Sequence, residues 1–397
     1  MKGFLGEKQA CITGIGQTTL YRKPTVFPFQ LAVEACERAI ADAGLQVTDI
    51  DGIAGYPLGM TGVGTGLAAA SPADIQASLG LSVNWHGSGE NAAQYSPILN
   101  AIAAIAAGYC RHVLVWRALG ERWVPTYSHA YKDTSKPLPP STGWKSWWEP
   151  YWAGAASIRA GVHASAHMHR FGITREQMSA IPLVQRRNAA LNPKALYREP
   201  LDFDEYMGAR MISTPFCLYD CDVPCDGATA MVISRIDLAR DLPNRIIRFE
   251  AVGGGARQGI DRWIGRNDFP RMMMHDAAEM MWSRTDMTPK DVDVAHLYDG
   301  FTYFVLLWLE ALGFCKEGES GAFVEGGERI ALDGELPINT NGGQLSEGRT
   351  HGLGHLHEAV LQLRGAAGER QVANARVAVS GVGGGALGGC LLITNQD

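Results

Sequence analysis

The chain is predicted to be an α/β protein made of two similar halves, each a largely parallel sheet covered by helices. Three observations predict this. A unit of helix, threonine-led loop, Asp-apolar-Asp and buried strand occurs twice, at 30–53 ("QLAVEACERAIADAGLQVTDIDGI") and at 275–297 ("HDAAEMMWSRTDMTPKDVDVAHL"). Each copy follows a strand that ends in glycines, "ACITGIG" in the first half and "IRFEAVGGG" in the second. Strands alternating with helices at this spacing imply parallel sheets with helices on both faces, and repetition of a whole unit implies two copies of one fold.

The remaining elements follow in order. Residues 91–108, "NAAQYSPILNAIAAIAAG", are small and apolar on nearly every side, so a helix here is buried throughout. Its N-terminus, at Asn91, directs unpaired N–H groups and the positive dipole end into a cleft. Asn91 there either contacts substrate or caps the helix. Between 118 and 225 the pattern breaks, which marks an insertion with helices around 155–191. Within it, "STGWKSWWEPYWAG" gathers Trp144, Trp147, Trp148, Tyr151 and Trp152. That cluster suits a core for the insertion, a lid over an apolar ligand, or a protein interface. His163 and His167 stand four apart, with His169 beside them. No acidic or cysteine partner lies nearby in sequence, so they are read as packing residues. The second half has its own buried helix at 353–365, fed by "NTNGGQLSEGRTHG". The resulting division is 1–117 plus 226–245, the insertion 118–225, and 246–397.

Bulk properties narrow the function. A net charge of −6 disfavours a broad nucleic-acid surface, and no apolar run is long enough to span a bilayer. Eight cysteines and an N-terminus without an apolar signal stretch point to reduced thiols in a cytoplasm. Cys217, Cys221 and Cys225 lack the paired spacing of a metal site, and no metal is expected.

Near the C-terminus, "SGVGGGALGG" joins two strand-like runs, "ARVAVS" and "GCLLIT". It has neither the lysine of a phosphate-binding loop nor the long helix of a dinucleotide fingerprint. Gly383, Gly384 and Gly385 are better read as a close approach of backbone N–H groups to a carbonyl oxygen.

Several stretches together carry a family resemblance. They are "ADAGL…DIDGI", the buried helix, "HMHRFGITREQMSAI", "DGATAMVIS", "HLYDGF", "NTNGGQLSEGRTHGLGH" and the terminal "GVGGGALGG". Over about 9–394 the chain resembles the thiolase superfamily, especially the sterol-carrier or lipid-transfer type. The resemblance implies a thiolase fold, two βαβ-type halves in an α/β/α/β/α layering with an inserted loop domain. It also implies at least a homodimer. The four catalytic loops of that family can be followed here. Asn91 takes the place of the nucleophilic cysteine, Tyr298 that of the histidine in H-D-A-F, Arg349 that of the activating histidine, and Gly381 that of the second cysteine. Thiolysis needs a thiolate, and none of these residues supplies one.

"YDGFT" at 298–302 resembles the thiolase-like aldolases that cleave side chains from steroid CoA thioesters. That resemblance implies a carbon–carbon lyase with an acyl-CoA substrate, no permanently bound cofactor, and a partner of OB-fold and zinc-ribbon type. Where "LSY" is expected in that group, the chain has "LSEG", with Glu347. A retro-aldol needs a general base, a proton donor and a hole for the enolate oxygen. Tyr298 is the first candidate, Glu347 a base or relay, and His351 a third. Asn341 joins the glycine turn as an enolate donor. Arg159, Arg186 and Arg187 are candidates for the CoA phosphates. The competing readings are an acyltransferase using Cys225 or Cys110, and a non-catalytic subunit of the same fold.

Overall fold

The computed structural model describes residues 5–56, 69–89, 91–121, 146, 148–151, 153–255, 269–384 and 387–396. In the first half, β1 (Ala10–Gln17) leads to α1 (Pro28–Asp42), β2 (Gly52–Gly55), α2 (Pro72–Leu79) and β3 (Trp85–Ser88). After a short strand β4 (Asn91–Gln94) come α3 (Ser96–Ala106) and β5 (His112–Gly120). The insertion contributes α4 (Ala156–Phe171), α5 (Arg175–Ala190) and a small hairpin, β6 (Met211–Ser213) with β7 (Phe216–Cys217). The chain then returns as β8 (Asp226–Arg235). The second half runs β9 (Ile247–Gly255), α6 (Met273–Trp282), β10 (Val294–Leu297), α7 (Thr302–Ala311), α8 (Leu353–Arg364), β11 (Val377–Val382) and β12 (Gly388–Thr394).

The strand order exposes the duplication. Nine strands are hydrogen-bonded in the order β10-β11-β12-β9-β1-β8-β5-β2-β3. From its centre outward, each half passes from its first strand to its last and then to the one before. The first two steps are antiparallel in both (β1·β8 and β8·β5; β9·β12 and β12·β11). The next is parallel in both (β5·β2 and β11·β10). The outermost neighbour is parallel too: β3 on β2, and an isolated bridge from Ala295 to Ile338 on β10. The two halves meet edge to edge at Cys11–Arg248 and Ile12–Ile247.

Burial explains why these sequences form these elements. All nine residues of β5, and the first nine of β8, are buried. Strands covered on both faces read as continuous apolar runs, not alternating ones. In α7, the first nine residues are buried, with Trp308 completely enclosed. Enclosing a side chain of that size contributes roughly 1.5–3 kcal/mol or more. In the insertion, Thr174 caps α5: its Oγ1 accepts the Gln177 N–H at 3.2 Å, and Gln177 Oε1 accepts the Thr174 N–H in return.

Four expectations need revision. The halves are not largely parallel: five of the eight neighbouring strand pairs among the described residues are antiparallel, because the last strands of each half return beside the first, and only the outer β10·β11, β5·β2 and β2·β3 pairs follow the helix crossovers and run parallel. The helix predicted from residue 91 begins at Ser96, and Asn91 lies in β4, so it does not cap α3. His163 and His167 do have partners, supplied from far along the chain. Tyr303 Oη lies 2.7 Å from His163 Nδ1, and Glu310 Oε2 lies 3.1 Å from His167 Nε2, which ties α4 to α7. Of the aromatic cluster, Trp144, Trp147 and Trp152 lie outside the described residues, and Tyr151 is exposed. Among the described residues, no helix is long and apolar enough to cross a membrane.

Candidate active site

Four chain segments converge beside the N-terminal end of α8. The first is the turn ahead of α3. Ala93 has φ +50°, a left-handed conformation that costs an alanine of order 1 kcal/mol. Such strain just before a buried helix is where a nucleophile would be presented, and here the side chain is a methyl. Asn91, which the resemblance puts at the nucleophile's place, lies two residues before this strained position, and neither residue bears a thiol.

The second segment is the glycine turn between β11 and β12. Gly383 has φ +101°, and a Cβ there would lie 2.2 Å from the Leu387 carbonyl oxygen and 3.1 Å from the Ala93 methyl. Only glycine fits this approach. A Cβ on Gly384 would strike the Phe304 ring at 2.8 Å, and Phe304 in turn packs against Tyr298 with ring centroids 6.2 Å apart. Gly385 lies outside the described residues.

The third segment follows β10. The Tyr298 N–H donates to the Gly381 carbonyl at 2.9 Å, which fixes it beside the glycine turn. The ring folds over its own chain, so a Cβ on Gly300 would lie 2.7 Å from Tyr298 Cε1 and 3.0 Å from Oη. The side chain is 7 % exposed. Its hydroxyl makes no hydrogen bond to any described residue. Burial and the nearby Asp222 push the phenol well above its usual range, partly opposed by Arg349 and Arg117. Tyr298 is therefore a neutral phenol at neutral pH.

The fourth segment, 341–351, is anchored on the buried Asp299. Gln344 Nε2 donates to Asp299 Oδ1 at 3.2 Å, and the His351 N–H donates to Gln344 Oε1 at 2.9 Å. Gly343, at φ +58°, passes so close that a Cβ would lie 2.1 Å from Asp299 Oδ2. Arg349 then forks between two buried carboxylates, Glu121 Oε1 at 2.7 Å and Asp222 Oδ1 at 2.6 Å. Burial raises Asp222 to about 7 despite Arg349, and it raises Glu121 as well.

His351 stands edge-on to Tyr298, with ring centroids 6.0 Å apart. Its Nδ1 faces Arg117 Nη2. A guanidinium only donates, so Nδ1 accepts and the ring proton sits on Nε2. Burial, with Arg117 and Arg349, holds His351 well below the ordinary histidine range. In this arrangement His351 is a neutral ring that accepts from Arg117 and has its Nε2–H to give.

The other anticipated residues are placed differently. Glu347 is not with Tyr298. Its carboxyl is buried between Asn192 Nδ2, at 3.1 Å, and Asn341 Nδ2. Burial, and then Glu358, raises it to about 8. Asn341 gives one amide N–H to Glu347, and its Oδ1 accepts the Gly343 N–H at 3.1 Å, which fixes the side chain in this loop. Arg186 is buried and donates to Ser346 Oγ at 2.9 Å and to the Glu199 carbonyl at 3.3 Å, so it braces this loop and does not face a phosphate. Arg187 is exposed on the same helix, and Arg159 donates to the Gly154 carbonyl at 2.6 Å.

Sequence reading missed Asp222, Glu121 and Arg117 as members of the site. The available signal was three aspartates, Asp220, Asp222 and Asp226, within an otherwise apolar run leading into β8. The thiols offer no alternative nucleophile. Cys225 is raised well above its normal value by burial and donates to the Arg349 carbonyl, and burial pushes Cys110 up to about 12.

The fold is that of a thiolase-type chain, and its site sets a buried phenol beside a carboxylate–guanidinium cluster. Residues 261–394 match the family described as thiolase C-terminal domain-like. The chain is 33% identical over 363 residues to a 17-hydroxy-3-oxo-4-pregnene-20-carboxyl-CoA lyase of Mycobacterium tuberculosis, covering 90% of this chain and 92% of that one. It is 32% identical over 362 residues to a steroid side-chain-cleaving aldolase of Thermomonospora curvata, covering 90% of each. A solved structure described as "Ltp2-ChsH2(DUF35) aldolase" superposes with a TM-score of 0.87 at 28% identity, over 98% of this chain and 99% of the other. The chain belongs to the thiolase superfamily, with the steroid side-chain-cleaving aldolases.

Proposed function

We propose that the protein is a carbon–carbon lyase that cleaves a β-hydroxyacyl-CoA thioester by retro-aldol chemistry, the acyl group being a steroid side chain. The observation that carries this reading is Tyr298: a buried phenol with no hydrogen-bond partner among the described residues, beside a strained turn that presents a methyl where a nucleophile would be. Kinship with two relatives named as a lyase and an aldolase supports it.

The reaction moves one proton from the β-hydroxyl oxygen to the α-carbon and needs no net acid or base. A base takes the hydroxyl proton, the Cα–Cβ bond breaks as the carbonyl forms, and the electron pair becomes a thioester enolate. Asp222, held on Arg349 and raised to about 7, has the proton affinity for the base. Tyr298 delivers its phenolic proton to the α-carbon and is reprotonated by Asp222. The Nε2–H of His351 and the backbone of the glycine turn stabilise the enolate oxygen. No acyl-enzyme forms.

The protein works as a cytoplasmic homodimer with a DUF35-type partner, consistent with the two-component description of its structural relative. Arg187 and Arg159 remain the insertion's candidates for the CoA phosphates. The boundaries 118 and 225 set off the insertion from the two halves.

The test is to incubate the protein, with any co-encoded partner, with a β-hydroxyacyl-CoA and no free CoA. Release of ketone or aldehyde with a shortened acyl-CoA is expected. Cleavage that requires free CoA would mean thiolysis, and no product under either condition would mean a non-catalytic subunit.

A further inference from the structure

A polar cavity of about 660 Å³ lies at the other end of α8 from Tyr298, between β1, α1, the segment after α5, the linker between the two halves and the C-terminal turn of α8. Among the described residues, five cationic side chains line it against one carboxylate, Asp42. That carboxylate is already satisfied by Arg364 Nη1 and by the Ile15 N–H, each at 2.8 Å. Three of the cations are likewise engaged: Arg364 with Asp42, Arg38 with Glu34, and Arg370 with Glu358 at 2.7 Å. Lys194 and Arg245 make no direct ion pair or side-chain hydrogen bond with a carboxylate among the described residues, although Lys194 feels Glu347 and Glu358 at longer range.

Helix ends account for some of this charge. α1 and α8 both finish here, and their carbonyl ends attract cations. That explains Arg364, in the last turn of α8; Arg38 stands earlier on α1 and is held by Glu34 and the Gln17 carbonyl. The helix ends do not explain Lys194 or Arg245, which come from irregular segments. A further observation concerns His357, which lines the cavity, is only 7 % exposed and has no hydrogen-bond partner among the described residues. Burial, with Lys194 and the neighbouring arginines, pushes it down to about 3, so it stays a neutral ring with an N–H to give.

We propose that this cavity binds a compact phosphate-class oxyanion, with Lys194 and Arg245 supplying the unbalanced charge and His357 a hydrogen bond. Two unpaired cations match a dianion or a pyrophosphate. No Phe, Tyr or Trp is among the described residues that line the cavity, so they provide no platform on which a nucleotide base would stack. The site also adjoins the loop network: Asn192, in its wall, donates to the Asn341 carbonyl at 2.9 Å and to Glu347.

Isothermal titration of the full-length protein with pyrophosphate at fixed ionic strength tests this. Saturable one-to-one binding is expected, weakened at least about tenfold in K194A/R245A and about threefold or more in H357A. Lys194 and Arg245 are exposed, so the double variant should keep its melting temperature. A Lys316→Ala control, remote and exposed, should bind as the parent does. Absence of saturable binding, equal affinity in the double variant, or displacement of pyrophosphate by CoA would each overturn the proposal, the last by reassigning the charge to the thioester substrate.

Discussion

Arg349 joins Asp222 at 2.6 Å, and the Asp222 N–H donates at 3.3 Å to the carbonyl of Gly300, the residue over which the Tyr298 ring folds. One guanidinium is thereby linked, through one carboxylate and one glycine, to the hydroxyl assigned to catalysis. The link spans three segments distant in sequence.

The ion cluster makes a strong stability prediction. Arg349→Met leaves Asp222 and Glu121 buried without a cation, and removing one member of a buried pair costs about 3–5 kcal/mol. Urea denaturation should show a loss of that order. Adding Asp222→Asn to Arg349→Met should recover part of it, because the orphaned charge is then gone. An Arg349→Met protein as stable as the parent would remove the cluster from the account.

Tyr298→Phe and Gly300→Ala test the phenol in complementary ways. Loss of the hydroxyl should lower turnover about 10²–10⁴-fold, the usual range for a positioned proton donor. Gly300→Ala keeps the hydroxyl but drives a methyl into the ring, at 2.7 Å from Cε1. The neighbour is a side chain, so the ring swings aside and the fold survives. Turnover should fall at least tenfold with a melting temperature close to the parent's. If both variants turn over as the parent does, Tyr298 has no chemical role.

The halves were legible because duplication is periodic. The repeated helix, loop and Asp-apolar-Asp unit became α1 with β2 and α6 with β10, in matching sheet positions. Helix starts were less legible. Residues 91–94, Asn-Ala-Ala-Gln, hold no glycine or proline to mark a break before the helix, and only the backbone shows that Ala93 breaks the run. The site was half visible. Tyr298 could be placed from its motif, whereas the partners of Arg349 lie 127 and 228 residues away. Glu347 is read from sequence as a base or relay, but Asn192, 155 residues before it, closes over it. Long-range polar pairing leaves no local pattern in a sequence.

Ala93→Cys tests whether chemistry has truly moved away from sulfur. The substitution puts a thiol on the strained turn, but the position of the activating histidine holds Arg349, already committed to two carboxylates. Mass spectrometry during turnover should find no acyl adduct on the introduced thiol, and free CoA should not increase product. A stable acyl-enzyme in this variant would show that a latent thiolase site persists.

The pH dependence of stability follows from the buried acids. Asp222 is raised to about 7 and Glu347 to about 8. When unfolded, both ionise near pH 4. Between these limits the native state holds protons that the unfolded chain has lost, so stability falls as pH rises. Below about pH 6.5 this is offset, since His296, His351 and His357 are held neutral in the fold and charge on unfolding. From pH 7 to 8 the histidines are mostly neutral in both states, and the acids dominate. Urea unfolding should therefore show falling stability over that window, at up to about 1.4 kcal/mol per pH unit for each proton involved. Glu347→Gln should flatten the slope. It should also lower stability at every pH by about 1–3 kcal/mol. The reason is that Asn192 and Asn341 are held by the backbone N–H groups of Lys194 and Gly343, so their amides keep donating where the introduced side-chain amide would present a donor of its own. A parent protein equally stable at pH 7 and 8, or a Glu347→Gln slope as steep as the parent's, would mean that Glu347 is ionised in the native state.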